Sequence, residues 1–335
     1  MCGIIAYIGN REAKSILIEG LKRLEYRGYD SAGVALIESS GDMQRARSVG
    51  RVQGLEELVS QGFNGSVGIA HTRWATHGGV SEPNAHPHVD DSTLGHGVTL
   101  VHNGIIENYA SIKQWLLKKN HVFESDTDTE VIAHLIGELY DGDLEKAVQA
   151  ALREVTGAYA LAVICAKEPD TLVVARKGSP LMVGVGANEF VVASDSSAIV
   201  AHTKQAFTLE DYTVAKITRD SIRTSTVDNV EITPEIRELE VDLEEIELGS
   251  FEHYMLKEIY EQPEAMRRCF KGRLDLRDGQ VRLGGISEFA RKLATAKRVV
   301  FIGQGTALHA AMIGEYLIEH IAKIPAEVEL SLIHI

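Results

Sequence analysis

The sequence predicts an α+β protein built on antiparallel sheet, with a smaller α/β unit behind it. Three stretches carry that prediction. From Tyr159 onward, Ala160–Cys165, Leu172–Ala175, Leu181–Val185 and Phe190–Ala193 are short apolar runs separated by Gly, Pro or Asp, and Thr213–Ile217 adds another. Runs of this length read as antiparallel strands, here two sheets packed face to face. Before them, Glu12–Tyr26 carries Ile16, Leu17, Leu21 and Leu24 at helical spacing, with Lys22 and Arg23 near the end and Gly28 beyond. Towards the other end, Arg298–Ile302 reads as a buried strand. Gly303-Gln304-Gly305-Thr306 is a Gly-rich turn after it, and Ala307–Ile321 is a helical run.

The 335 residues suggest two domains, or one and part of another. The chain is 44% hydrophobic and 24% charged, an ordinary globular balance. A net charge of −14 without a Lys/Arg stripe argues against binding a phosphate backbone, so no nucleic-acid partner is expected. No apolar stretch approaches the ~20 residues that span a bilayer, so no membrane partner is expected. No basic segment followed by an apolar core opens the chain, so no signal peptide is expected. Three Cys in this length do not make a disulfide framework, and a reducing compartment is expected.

The chemistry starts at Met1-Cys2-Gly3-Ile4-Ile5. Cys is small enough that removal of Met1 is expected. Cys2 would then carry a thiol and an α-amine on one residue. A free thiol titrates near ~8.5 and an α-amine near ~7.7–8.0, so one residue offers nucleophile and proton acceptor. Gly3–Gly9 is a short apolar run bounded by Gly, which reads as a buried strand. A Cys at position 2 with an ordinary strand behind it is the plainer reading.

The helix Glu12–Tyr26 exits through Glu25-Tyr26-Arg27-Gly28-Tyr29-Asp30-Ser31-Ala32-Gly33 into a strand, Val34–Ile37. Arg27 is either a solvated cation favoured by the helix dipole or a loop residue facing Cys2. Gly68–Gly78 begins as a buried strand and turns polar at Arg73, Trp74, Thr76 and His77. Arg73 has the planar fork that grips a carboxylate, and equally it suits a structural ion pair. Six of thirteen His lie between His71 and His102, including His86-Pro87-His88. Neither H-E-x-x-H nor C-x-x-C occurs, so no metal is expected and these His read as loop hydrogen-bond partners.

Thr99–Ile106 reads as a strand broken by Asn103-Gly104. Asn-Gly is a tight-turn signal. An Asn side-chain N–H beside a Gly N–H is also a donor pair for a developing oxyanion. Thr127 and Glu130 have capping-box spacing ahead of a helix, and Asp128 lies in its acidic first turn, where a carboxylate could also bind an ammonium group. Cys165 reads as an inert core residue. Glu238–Glu247 is an acidic connection, and Phe251–Met266 and Ile286–Ala294 read as helices. Gly303, Gln304, Gly305 and Thr306 form a weak anion-site signal. The third Gly of a dinucleotide fingerprint is missing, so NAD is not expected.

Together these motifs resemble the glutamine–fructose-6-phosphate aminotransferases (isomerising), the glucosamine-6-phosphate synthases. The matching stretches are Met1–Ile4, Leu24–Ser31, His71–Gly78, Asn84–His88, His102–Ile106, Thr127–Glu130, His253–Met255 and Lys257–Ile259. Their order is very specific, and the resemblance covers almost the whole chain. It implies an N-terminal-nucleophile hydrolase αββα sandwich followed by the incomplete start of an α/β sugar-isomerase domain. The implied boundaries are 2–237 for the glutaminase domain, 238–265 for an acidic linker and interdomain segment, 266–330 for the partial sugar-isomerase domain and 331–335 for a non-family tail.

The resemblance also implies an activity: transfer of the glutamine amide nitrogen to fructose 6-phosphate, giving glucosamine 6-phosphate. Carried over by motif, Cys2 is the nucleophile and, through its α-amine, the base, while Asn103 and Gly104 hold the oxyanion. Arg73 would bind the glutamine α-carboxylate and Asp128 its ammonium. Thr76 and His77 line that pocket, Trp74 gates the ammonia route, and Arg27 orders the loop over Cys2. Gly303, Gln304, Gly305 and Thr306 match a sugar-phosphate loop, with Gln304 where many members have Cys and Ala307 where many have Ser. The resemblance implies no cofactor, a cytoplasmic location and, for full-length members, a homodimer.

The likeness stops near Leu330. A shortened reading frame or translated adaptor sequence is therefore expected, with glutaminase but no synthase activity, and with exposed apolar surface at Val299–Ile302 and Met312–Ile318. The competing readings are an amidophosphoribosyltransferase-like glutaminase, a non-catalytic sugar-phosphate module using Gly303–Thr306, and a metal module using the His cluster.

Overall fold

The computed structural model describes residues 2–38, 40–75, 78–90, 97–239, 249–275, 278–287 and 289–330. The chain divides into two compact units, Met1–Glu247 and Leu248–Ile335. In chain order the first unit contains β1 (Gly3–Ile8), α1 (Ala13–Leu24), β2 (Ser31–Ile37), β3 (Met43–Val49), α2 (Val52–Leu58), β4 (Val67–Arg73), β5 (His88–Val89), β6 (Val98–Ile106), α3 (Tyr109–Leu117), α4 (Asp128–Leu139) and α5 (Leu144–Glu154). It continues with β7 (Gly157–Cys165), β8 (Leu172–Lys177), β9 (Met182–Gly186), β10 (Glu189–Ala193), β11 (Gln205–Thr208), β12 (Thr213–Ile217), β13 (Ile222–Thr226), β14 (Glu231–Ile232) and β15 (Arg237–Glu238).

Two antiparallel sheets form the middle layers. One runs β15-β11-β9-β10-β1-β4-β2-β3, the other β14-β13-β12-β8-β7-β6-β5. The side-chain alternation of a strand explains the layering. On β1, Ile4, Ala6 and Ile8 face inward, where they meet Val101, Ala160, Ala162 and Val174 of the opposite sheet. Ile5 and Tyr7 face outward and meet Ile16, Leu17 and Leu21 of α1. β1 is therefore buried on both faces, which is why its sequence is uniformly apolar rather than alternating. On the far side, Val131, Ile132 and Ile136 of α4 and Val148 of α5 pack on Leu100, Leu161 and Val163. The result is an αββα sandwich, as expected.

One expectation fails locally. β6 is not broken at Asn103-Gly104: Asn103 pairs with Ala160 and Gly104 with Tyr159 in an unbroken ladder on β7. Gly104 reaches this register with φ +142, and a Cβ there would lie 2.0 Å from the Ala158 carbonyl oxygen. The ladder thus supplies what a turn otherwise would, a Gly-only backbone within a strand.

The second unit contains α6 (Tyr254–Phe270), β16 (Leu274–Asp275), β17 (Gln280–Val281), α7 (Gly284–Ser287), α8 (Ala290–Ala294), β18 (Val299–Gly303), α9 (Thr306–Leu317) and β19 (Ala326–Leu330). α6 carries Pro263 within it and α9 ends in a π-turn, Ile318–Ala322. The helix expected over Ile286–Ala294 is instead two short pieces. β18 pairs with β19 in parallel. It is not the buried strand the sequence suggests: Val300 is 43% and Ile302 55% exposed. Phe301 packs towards Gly314 of α9, so among the described residues the helix covers one face of this pair and the other stays open. Met312 and Ile313 are also exposed.

Candidate active site

Cys2 immediately precedes β1, which lies between β10 and β4 in its sheet. Gly3 pairs with Thr72 of β4, so the end of β4 runs alongside the thiol. The backbone N–H of Trp74 donates to Cys2 Sγ at 3.2 Å, and Sγ lies 3.5 Å from the Trp74 carbonyl oxygen, which accepts from the thiol. Burial pushes the Cys2 thiol up; the Trp74 N–H and the Arg73 charge oppose that. The resting group is a neutral thiol, and it needs a base to become a nucleophile.

The approach of the two segments depends on small residues. A Cβ on Gly3 would lie 2.7 Å from Leu24 Cβ and from Thr72 Oγ1. A Cβ on Gly28 would meet the backbone of Arg73 and Trp74 at 2.7–2.9 Å. Asp30, two residues on, accepts from the Ala75 N–H at 2.8 Å, and its own N–H donates to the Arg73 carbonyl at 3.0 Å. The loop after α1 therefore fixes the loop after β4.

The second sheet brings Asn103. Its Nδ2 donates to the Cys2 carbonyl at 3.1 Å, and its Oδ1 lies 2.9 Å from His71 Nε2. An amide oxygen only accepts, so His71 carries its proton on Nε2. Burial drives His71 down to about 3, so it is neutral. The imidazole thereby sets the Asn103 amide with its NH2 towards Cys2. Gly104 follows at the exposed edge of the same strand.

Arg73 is buried at the end of β4, its two guanidinium nitrogens donating to the Gly78 and Gly79 carbonyls at 3.1 Å. Burial lowers it, while Cys2, Asp30 and Asp128 act in the opposite sense. Asp128 opens α4, and its Oδ2 accepts from the Ile106 N–H at 2.8 Å, which ties α4 to the strand carrying Asn103. Arg73 is thus close enough to feel both the Cys2 thiol and the Asp128 carboxylate.

Comparison with known proteins follows from this geometry. A profile described as the glutamine amidotransferase domain matches residues 57–252, more than half of the chain. The chain belongs to the glutamine amidotransferase domain family. Curated relatives include proteins named glutamine–fructose-6-phosphate aminotransferase [isomerizing] from Chlorobaculum tepidum, 52% identical over 98% of this chain, and from Bacteroides thetaiotaomicron, 48% identical over 98%. This amidotransferase spans about half the length of the curated relatives it matches, 54% in both cases. Among solved structures, glutamine phosphoribosylpyrophosphate amidotransferase from B. subtilis superposes with a TM-score of 0.62 at 21% identity, over 98% of this chain and 65% of that one. A second structure, titled as the allosteric regulatory enzyme of purine biosynthesis, gives 0.63 at 23% over the same shares. At these identities the likeness speaks for the fold alone, and it agrees with the αββα sandwich. No described helix is long and apolar enough to cross a membrane.

The amidotransferase domain places the remaining expected residues as follows. Trp74 is 43% exposed, its ring edge-on to Tyr29 at 5.4 Å between centroids. Arg27 is not a solvated cation. Its guanidinium bonds Asp195 and the Tyr26 hydroxyl, and Tyr26 itself donates to Asp195 at 3.0 Å. Asp195 follows Ser194, whose hydroxyl accepts from the Ile4 N–H at 3.0 Å. Arg27 thus reaches the Cys2 strand through Asp195. Thr76 and His77 lie outside the described residues. Gly303, Gln304, Gly305 and Thr306 lie in the second unit, where Gly305, at φ +58, precedes α9.

Of the clustered histidines, His77 and His96 lie outside the described residues, and the other four are hydrogen-bond partners as expected, though only His86 is in a loop. His71, His86, His88 and His102 are buried, three of them on strands. His86 Nε2 and His102 Nδ1 meet the Thr129 hydroxyl at 2.9 and 3.0 Å, and His88 Nε2 meets the Thr127 hydroxyl at 3.0 Å. These contacts flank Asp128 on both sides and hold the first turn of α4. The Glu130 side chain reaches past the Thr127 cap to the Glu124 and Ser125 N–H groups, both at 2.8 Å. Sequence reasoning assigned no site role to Asp30, Ser194 or Asp195, and took His71 only as a loop hydrogen-bond partner. Asp30 alone had a signal, a carboxylate in a Gly-rich loop.

Proposed function

We propose that the first unit hydrolyses glutamine through a Cys2 thioester, as the ammonia-producing half of an enzyme that aminates fructose 6-phosphate to glucosamine 6-phosphate. The observation that supports this is the meeting at Cys2 of Asn103, from one sheet, with the Trp74 N–H and Arg73, from the other. In the reaction, Cys2 Sγ attacks the side-chain amide carbon. The thiol proton passes to the Cys2 α-amine and then to the leaving nitrogen, which departs as ammonia. Water attacks the thioester, releasing glutamate and restoring the thiol. The Asn103 Nδ2 and the Gly104 N–H would donate to the oxygen that becomes negative, a contribution of about 3–4 kcal/mol for one such donor. Arg73 takes the α-carboxylate and Asp128 the ammonium; Thr76 and His77 line the same pocket. Trp74 stands where ammonia would leave.

The sugar acceptor rests on the names of relatives 42–52% identical to this chain. Residues 2–237 would be the glutaminase domain, 238–265 the connection, and 266–330 the first part of a sugar-isomerase region whose phosphate loop is Gly303–Thr306. The expected setting is the cytoplasm and the expected full-length assembly a homodimer.

The test is intact mass and peptide mapping after treatment with 6-diazo-5-oxonorleucine. Loss of Met1 and one adduct on Cys2, blocked by glutamine, is the expected result. A retained Met1, or adducts confined to Cys165 or Cys269, overturns the reading. For the acceptor, fructose 6-phosphate should bind a chain of the relatives' full length; binding of phosphoribosyl pyrophosphate instead would mean the purine-type reaction.

A further inference from the structure

Away from the thiol, the first unit holds a buried group of three ligand-type side chains that the glutaminase chemistry does not use: Asp90, His121 and His134. All three are at most 4% exposed. They come from separate places. Asp90 follows β5, His121 lies in the connection after α3, and His134 sits in the middle of α4. Asp90 Oδ1 lies 2.8 Å from His134 Nδ1 and 3.7 Å from His121 Nδ1, and the two Nδ1 atoms are 3.0 Å apart.

The proton count makes this arrangement informative. His121 Nε2 lies 3.1 Å from Glu138 Oε2, a carboxylate that can only accept, so its proton is on Nε2 and its Nδ1 lone pair is bare. That lone pair points at His134 Nδ1, which also faces the Asp90 carboxylate. His134 Nδ1 therefore either carries a proton of its own, donated to Asp90 and facing the His121 lone pair, or gives that proton up so that three lone pairs meet around a cation.

The geometry fits a metal ion closely. The three distances define a triangle whose circumscribed radius is about 1.9 Å, so a point about 2.05 Å from all three atoms lies about 0.8 Å above their plane. A regular tetrahedral zinc site with such bonds has ligand–ligand edges of about 3.3 Å and the metal about 0.7 Å above each face. One outer contact matches too. Metal-bound His normally turns its other N–H to a carboxylate, and Glu138 does this for His121; His134 Nε2 makes no such bond, with Glu130 Oε1 3.8 Å away. The fold also makes room for Asp90. A Cβ on Gly137, one turn past His134, would lie 1.8 Å from Asp90 Oδ2, so the carboxylate fits against α4 only because that residue is Gly. Phe123 closes the apolar side, its ring 4.6 Å from His134.

We propose that Asp90, His121 and His134 bind a divalent transition-metal ion of nitrogen and oxygen preference, with zinc as the best match. The ion clamps α4 to the segment before it and to the end of β5. It holds in place the helix whose first residue is Asp128, without touching the reacting atoms. The expectation of no metal came from local spacing, and these ligands are 31 and 13 residues apart, beyond any short motif.

The test uses the full chain carrying Cys2→Ala and Cys269→Ala, so that no accessible thiol competes, titrated with Co2+ and then Zn2+. The expected result is one Co2+ per chain with the intense visible bands of a four-coordinate site, displaced by one equivalent of Zn2+. Imidazole 15N shifts should move at the Nδ1 of His121 and His134 and at no other histidine. His121→Gln should weaken Zn2+ binding by at least 100-fold, and Glu138→Gln, which keeps all three ligands, by about 10–100-fold. No stoichiometric uptake by the parent chain would mean that the His134 proton fills the site, and the proposal would be wrong. Uptake that leaves the His121 and His134 resonances unmoved, or that survives His121→Gln unchanged, places the ion elsewhere and overturns it equally.

Discussion

Replacing Asn103 by Ala separates the catalytic from the structural part of the site. The side chain makes two contacts, Nδ2 to the Cys2 carbonyl at 3.1 Å and Oδ1 to His71 Nε2 at 2.9 Å. Ala removes both. On the structural side, His71 Nδ1 already lacks a protein partner, so the variant leaves a fully buried imidazole with neither ring nitrogen paired. An unpaired buried polar group costs about 1–3 kcal/mol, which should appear as a lower denaturant midpoint with an unchanged slope. On the catalytic side, loss of one oxyanion donor should lower kcat for glutaminase by about 10²–10³. KM should stay within about threefold of the parent value, because interactions made only in the transition state leave ground-state binding alone and Arg73 and Asp128 are untouched. The assay is glutamate release across a glutamine series, at a temperature where equilibrium unfolding shows the variant to be folded. A kcat within fivefold of the parent, together with the stability loss, would falsify the oxyanion role and leave Asn103 as a packing residue.

Three further outcomes follow from the same structure. Folded His71 titrates near about 3 against about 6.5 in an unfolded chain, so between those values the unfolded state binds more protons. Stability should therefore fall as pH drops from about 6.5 towards 3, by up to about 1.4 kcal/mol per pH unit from this residue, and the fall should be shallower in His71→Gln; urea midpoints at pH 7, 6, 5 and 4 check this, and equal slopes in the two chains refute it. Gly28→Ala forces a Cβ to within 2.7–2.9 Å of the Arg73 and Trp74 backbone and should cost about 1–3 kcal/mol while lowering glutaminase activity at least tenfold; unaltered activity would mean that the Trp74 N–H does not position Cys2. Arg27→Ala and Asp195→Ala, measured singly and together, should show a coupling energy of about 0.5–3 kcal/mol, since the pair is largely buried. Near-zero coupling with a collapse of activity in Arg27→Ala alone would place Arg27 on glutamine instead.

The local settings of the candidate residues were legible in the sequence: Cys2 before a buried strand, Arg73 at a strand end, Asp128 in a capped first turn. The layers were legible because β1 and β7 are apolar throughout and β8 is apolar as far as Ala175, the signature of strands covered on both faces. The continuation of β6 through Asn103-Gly104 was not, since the dipeptide favours a turn and only the ladder with β7 overrides it. Nor was His71, because its partner Asn103 lies 32 residues away on the other sheet, and the contact depends on how the two sheets stack. The same holds for Asp195, 168 residues from Arg27. The edge strands and α3 passed unremarked, and so did α5, although its Leu144, Ala147, Val148, Ala151 and Leu152 recur at helical spacing.

The thiol and the amide that bonds its carbonyl are 101 residues apart, on strands from opposite sheets. No fragment smaller than the stacked pair of sheets can bring them together. Contacts of such sequence separation form late, after the long intervening loops have closed. Reactivity of Cys2 towards a glutamine-like electrophile therefore doubles as a clock for refolding. It should return with the slowest phase that restores the sandwich, while helix signals recover earlier.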